Sequence, residues 1–276
     1  MSRTYIRRFN TIDQIFHLVL VITFLVQTAT GFSRLFYHTA WGKGLTRFFG
    51  GYETTLLIHQ GVGILMTLGF VAHIVLLICT RIDWKQPGRS IFGQDSLFPG
   101  WRDFKQLGQR LFWFVGSKDQ PPTDRWTYWE KFDYFAVFWG LPLLAVTGFM
   151  LMFSVTASRF VPGWFLNIAL LLHQAEAILA VAYIFIVHFY VGHLRPANFP
   201  MNEAMFAGKI PLSSAEDERP EWIERLQSEG RLEELKIDPP SRRFRIAYFI
   251  FGYAVMLTGL YLLVYAIAFI RTLHLH

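Results

Sequence analysis

The 276 residues are 53% hydrophobic and include 28 Phe, more apolar surface than a soluble core of this length conceals, so a bilayer is the implied solvent. One cysteine, Cys79, and no CxxCH exclude disulfides within the chain, covalent c-type haem, and Cys-built iron–sulfur or zinc sites. The net charge of +6 is gathered into particular loops between apolar runs, a pattern of membrane orientation and not of nucleic-acid binding.

Five runs are long enough to span, near or above the ~20 residues that a helix needs. They are Ile15–Phe36, Leu56–Cys79, Tyr134–Val155, Trp164–Val191 and Ile246–Ile270. The first follows Arg7 and Arg8 but is long for a signal core and lacks an A-x-A site, so it reads as a retained anchor. After it, Trp41–Gly44 and Phe48–Gly51 read as a headgroup-level segment with aromatic anchors. Residues 82–131 hold Pro, Gly and aromatics including Trp101, Phe112 and Trp113, which predicts a short interfacial helix. Residues 210–240 are charged and predict a helical stretch near Glu221–Glu234. The N-terminus, Arg81–Lys131 and Arg195–Arg245 carry 21 of the Lys and Arg residues and the remaining segments carry five. That bias places the N-terminus in the cytoplasm and the C-terminus in the periplasm. The fold class expected is an all-α integral membrane bundle of five helices. Its parts are a four-helix domain over 1–210, a charged cytoplasmic linker over 211–245, and a fifth span with a short tail over 246–276.

Histidine is the chemically informative residue. His17, His59, His73, His173 and His188 lie in or near the ends of spans, and His193 follows at the edge of the fourth. Polar side chains at that depth usually face the bundle interior. His59 and His73, fourteen residues apart, differ by only ~40° around a helix; His173 and His188, fifteen apart, differ by ~60°. The second and fourth spans run in the same direction, so each offers one His near the outer leaflet and one roughly 21 Å deeper. Two imidazoles at equal depth on facing helices, with a porphyrin-sized gap between them, hold a haem iron. His59 and His173 fit the outer level; at the inner level His188, His73 and His17 all qualify. Gly31, Gly61, Gly63, Gly140 and Gly148 supply small residues for close backbone approach to a flat macrocycle.

Two other features bear on chemistry. Glu176, one turn from His173, is placed to accept a hydrogen bond from a ligand imidazole or to join a propionate network. Glu130, Lys131 and Asp133 at the start of the third span share a level with Asp13, Gln14 and His193. Such a level suits the two oxygens and the protons of a quinone, although charges at a membrane edge also serve simply as anchors.

At these residues the sequence resembles bacterial di-haem cytochromes b, the group of formate dehydrogenase gamma subunits and nickel-hydrogenase b-type cytochromes. It comes closest to cytochrome b subunits associated with multihaem cytochromes c. The matching pieces are Ile12-Asp13…His17 and Thr30-Gly31, then Ile58-His59…Gly63…His73. Glu130-Lys131…Tyr134, Thr147-Gly148 and His173…Glu176-Ala177 follow, and the run from His188 through His193, Arg195-Pro196 and Phe199-Pro200 to Gly208 closes the match over roughly residues 6–210. The resemblance implies two b-type haems, the outer on His59–His173 and the inner on His17–His188. It also implies exchange with menaquinone or ubiquinone in the bacterial inner membrane, and partner subunits of a respiratory complex such as a periplasmic multihaem cytochrome c or an iron–sulfur protein. The sequence departs from the family pattern at Leu18, where Trp is usual, in its fifth span, and at His73, which paired with His188 would give the layout of the cytochrome bc type. A proton relay or transporter, and a haem-free anchor, are the alternative readings of the same histidines. Interrupted half-helices and inverted repeats, which a transporter predicts, are not found in the sequence.

Overall fold

The computed structural model describes residues 4–116 and 123–272. Five helices are long and apolar enough to cross a membrane: α1 (Thr11–Leu35), α2 (Tyr52–Arg81), α3 (Tyr128–Met152), α4 (Gly163–Ala182) and α5 (Arg242–Phe269). Each begins earlier than its apolar run. Asp13, Glu53 and Glu130 sit in the first turns of α1, α2 and α3, where acidic groups favour helix through the exposed N–H groups and the dipole. Hydropathy alone leaves those turns out. None of the most apolar stretch of α2 is buried within the protein, so its surface requires lipid. Polar residues in the spans satisfy themselves locally: Thr23, Thr30, Thr67 and Thr147 each donate to the carbonyl four residues back, as a hydroxyl without water must.

Contacts divide the described chain into two compact units. The first comprises residues 1–14, 73–138 and 203–242. Strands β1 (Tyr5–Arg7), β2 (Lys209–Pro211) and β3 (Lys236–Ile237) form an antiparallel sheet in the order β2-β1-β3, with Ile6 opposite Ile210 and Lys236. Ile6 packs with Ala204, Ile210, Ala215, Trp222, Ile223, Leu226 and Leu232 in a buried cluster. Trp222, Ile223 and Leu226 come from one face of the helix Pro220–Ser228, whose start is set by Pro220 at the first helical position. Residues 211–242, which charge alone marks as a linker, therefore supply a folded core. Gly208 joins this core to α1: at φ +71° it adopts a left-handed conformation, and a Cβ there would meet the Gln14 amide at 2.5 Å.

Buried ion pairs hold the same unit. Glu130 Oε1 accepts from Arg8 at 2.7 Å and from Arg219 at 3.1 Å, and Lys131 reaches Asp103 at 3.1 Å. Burial lowers the Arg8 guanidinium to about 10 despite the attraction of Glu130. Glu130→Ala leaves the buried Arg8 without its carboxylate, whereas Arg219 keeps Glu218 at 3.2 Å, and breaking a buried pair costs about 3–5 kcal/mol. Limited proteolysis over residues 203–242 should accelerate in that variant and stay unchanged in Arg102→Ala, whose pairing with Glu221 is exposed. Burial opposes ionisation of Asp95, but Arg225 and Arg125 outweigh it and hold the carboxyl below its ordinary range. Its contribution is thus present at neutral pH and lost as pH falls through that lowered value.

The second unit comprises residues 15–72, 139–202 and 243–276. Below Ala182 the fourth span continues as π-helix over Tyr183–His188 and Tyr190–Leu194. Helix α5 packs on this part of the span through Gly259, where a Cβ would lie 2.7 Å from the Phe185 ring. The segment Ala40–Phe48 is a helix capped by Thr39. Trp41 is not the lipid anchor that its aromatic context suggests. It is buried, stacks on Tyr265 and Phe269, and donates from its indole to the Tyr261 hydroxyl at 3.2 Å.

Candidate functional site

Within the second unit, His59 of α2 and His173 of α4 face each other with ring centres 6.3 Å apart and planes at 78°. An imidazole nitrogen binds a first-row metal at about 2 Å, so two imidazoles on opposite sides of one iron have centres about 6 Å apart. Each ring is held by a threonine of the preceding helix. Thr30 Oγ1 lies 2.9 Å from His59 Nδ1, and Thr147 Oγ1 lies 3.0 Å from His173 Nδ1. Both hydroxyl protons are already directed to backbone carbonyls, of Val26 and of Leu143, at 2.7 Å. Each threonine must therefore accept, each Nδ1 carries the proton, and each Nε2 keeps the ring's lone pair. This is the tautomer that a metal ligand needs, fixed by its neighbour.

The glycines after these threonines leave room for the rings. A Cβ on Gly31 would touch His59 Cε1 at 3.5 Å, and one on Gly148 would crowd His173 Cε1 at 3.2 Å. Gly63 admits Gln27, whose amide donates to the His59 carbonyl at 2.8 Å. Glu176 is not the acceptor for His173: that role belongs to Thr147, and the Glu176 carboxylate lies over Gly140. Arg34, at the end of α1, is within electrostatic reach of His59 and keeps a buried Nη1 without a hydrogen-bond partner. The half-buried guanidinium also lies over the Tyr52 ring at 5.1 Å, and its one unpartnered nitrogen suits a carboxylate such as a haem propionate. Among the described residues no group of three or more His, Cys, Asp or Glu could hold a metal ion. Two opposed imidazoles suffice only where a porphyrin fills the remaining positions, so the residues fit haem.

Thr147→Val removes one acceptor of the His173 ring, which also bonds the Leu144 carbonyl, and makes that ligand less basic. The midpoint potential of the haem it serves should rise, by roughly 60 mV if the hydrogen bond favours oxidised over reduced iron tenfold. Redox titration of the purified variant measures this.

At the other end of the unit, His17 lies within electrostatic reach of His188 and His193. His188 and His193 have ring centres 6.0 Å apart at 86°. The π-helix accounts for this. Its hydrogen bonds run from i to i+5, so five residues bring side chains onto one face. The same wider turn absorbs a residue between His173 and His188, which brings their fifteen-residue spacing closer to the fourteen of His59 and His73. His193 Nδ1 is buried and unpartnered.

His73 belongs to the first unit. Its Nε2 lies 2.9 Å from the Tyr134 hydroxyl, and its ring packs edge-on against that tyrosine. Asp133 stands beside Tyr134 in α3, partly buried.

Comparison with known families matches residues 8–208 to prokaryotic cytochrome b561, and no curated protein matches the chain. The five spans and the paired histidines agree with an electron-transfer protein that binds b-type haem in the bacterial inner membrane and crosses it several times. The chain belongs to the prokaryotic cytochrome b561 family.

Proposed function

We propose that the chain carries electrons between the quinone pool and a partner redox subunit through two b-type haems, one on His59 and His173 and one on His17 and His188. The observation that carries the reading is the His59–His173 pair, 6.3 Å apart with both Nδ1 protons committed to threonine. The proximity of His17 to His188, and the bond from His73 to Tyr134, favour His17 as the fourth ligand. Bound haem supplies one-electron transfer between ferric and ferrous iron. The chain's own residues set the positions of the ligands, their tautomers and the dry surroundings.

Arg34 stands ready for a propionate at the outer level, with Gly31, Gly63 and Gly148 giving space for ring and ligand. Within the second unit His193, half-buried beside His188 with a buried, unpartnered Nδ1, is a candidate hydrogen-bond donor to a quinone oxygen; within the first unit, Asp133 is a separate candidate polar group. The Lys and Arg bias supports a cytoplasmic N-terminus and a periplasmic C-terminus. On that orientation the outer haem serves a periplasmic partner, a multihaem cytochrome c or an iron–sulfur protein, and the quinone is menaquinone or ubiquinone.

Stopped-flow mixing of the purified protein in nanodiscs with menaquinol or ubiquinol tests the reading. Reduced b-type bands should develop with one of these quinols. Bands that develop with dithionite but with neither quinol would contradict the quinone link.

A further inference from the structure

The ligand pairs leave His73 and Tyr134 without a role, and their surroundings supply one. His73 Nε2 and the Tyr134 hydroxyl are 2.9 Å apart and part-buried. Phe138, one turn after Tyr134, packs against both rings at 5.0 and 6.5 Å and seals one side. Two charges act on both members of the pair: Asp13 from the start of α1 and Arg81 from the end of α2. Asp13 and Arg81 form an ion pair at 3.2 Å in which both side chains keep solvent exposure, 28% and 49%. They also line a cavity of about 130 Å³ together with Arg7 and Asn10. All of these groups belong to the first unit. Titratable groups thus run in series from a polar cavity to a hydrogen-bonded His–Tyr pair on two membrane helices.

A proton needs such a series and an electron does not. Oxidation of one quinol releases two electrons and two protons, and reduction of one quinone takes up the same. A His–Tyr bond that served only to join two helices would require no carboxylate and no cavity behind it.

We propose that His73 and Tyr134, backed by Asp13 and Arg81, form the route by which a membrane quinone exchanges its protons with water in this cavity. The proposal rests on the quinone reading above. In the oxidising direction, the quinol O–H bond breaks and its proton goes to the Tyr134 oxygen. The tyrosine's own proton passes to His73 Nε2, so that Tyr134 stays neutral throughout. The imidazolium then gives up its Nδ1 proton toward the Asp13 carboxylate, and Asp13 passes it to water. A tautomer exchange restores His73 for the second proton. The two electrons would leave one at a time, the chemistry that b-type haem supplies when bound. Reduction runs the same steps in reverse. Arg81 pairs with the Asp13 carboxylate at 3.2 Å, at the water end of the series.

The test uses the full haem-loaded chain in nanodiscs, with Asp13→Asn, His73→Gln and Tyr134→Phe compared against wild type. Each variant should keep full haem content and be reduced by dithionite at the wild-type rate. Reduction by quinol should fall by about 10²-fold, the usual order for loss of a positioned acid or base, with an altered pH profile and solvent isotope effect. Redox-difference infrared spectra should show a carboxyl band that Asp13→Asn removes. Quinol-driven rates and pH profiles unchanged in all three variants would overturn the relay. So would slower rates with unchanged pH profile and isotope effect, the mark of a purely structural bond, and so would loss of a haem from His73→Gln. A wild-type protein that no quinol reduces sinks the quinone reading and the relay with it. A wild type that quinol reduces, beside unaffected variants, sinks the relay alone.

Discussion

His59→Ala should lose one of the two haems and keep the other. Its imidazole lies opposite His173 at 6.3 Å, and Thr30 fixes the tautomer in which Nε2 keeps the ring's lone pair. Removal leaves His173 without its opposed imidazole. Among the described residues His38, just after the C-terminal end of α1, is engaged instead with the Thr272 hydroxyl at 2.9 Å. His173→Ala should give the same phenotype, because a haem held between two imidazoles loses its low-spin state with either one. The double variant should therefore resemble each single one and lose no further haem. Haem content by pyridine haemochrome assay, with protein quantified separately, checks this. Full haem content and an unchanged spectrum in His59→Ala would refute the assignment.

His17→Ala should remove the inner haem, whereas His73→Ala should remove none. Depth along the helices leaves the two histidines equal as partners for His188, and the shared face of His59 and His73 on α2 speaks for His73. The surroundings speak for His17. It lies among His188 and His193, while the Nε2 of His73, the nitrogen an iron would need if Nδ1 kept its proton, is occupied by Tyr134. Low-temperature EPR of both variants separates the cases. Loss of one low-spin signal in His17→Ala alone is the expected result. Loss in His73→Ala alone would reverse the pairing, and loss of different signals in the two variants would require a third haem.

The number and order of the spans were legible because apolar length carries that information directly. So was the approach of His59 to His173, since α2 and α4 run in the same direction and the helical rise sets depth. The threonines were less legible. Thr30-Gly31 and Thr147-Gly148 stand out in the sequence as paired dipeptides, but linear order marks only the space at the glycines and gives the hydroxyls no role. What singles out the threonines is a three-way geometry: hydroxyl proton to the i−4 carbonyl, lone pair to Nδ1, glycine beneath the ring. No linear spacing encodes it. The π-helix was also hidden, because residues 183–194 show an ordinary apolar pattern. Charge concealed the core of residues 203–242, where Trp222, Ile223 and Leu226 occupy one face of a helix whose other residues are polar.

The most direct test of electron transfer through two bis-histidine haems is the haem stoichiometry and EPR spectrum of the purified wild-type protein. The account predicts two non-covalently bound b-type haems per chain, both low-spin in the ferric state. The outer one should give the strongly anisotropic signal of nearly perpendicular imidazole planes, as the 78° angle between His59 and His173 requires. A protein that purifies folded without haem, with a single haem, or with haem that is high-spin at both sites would contradict it.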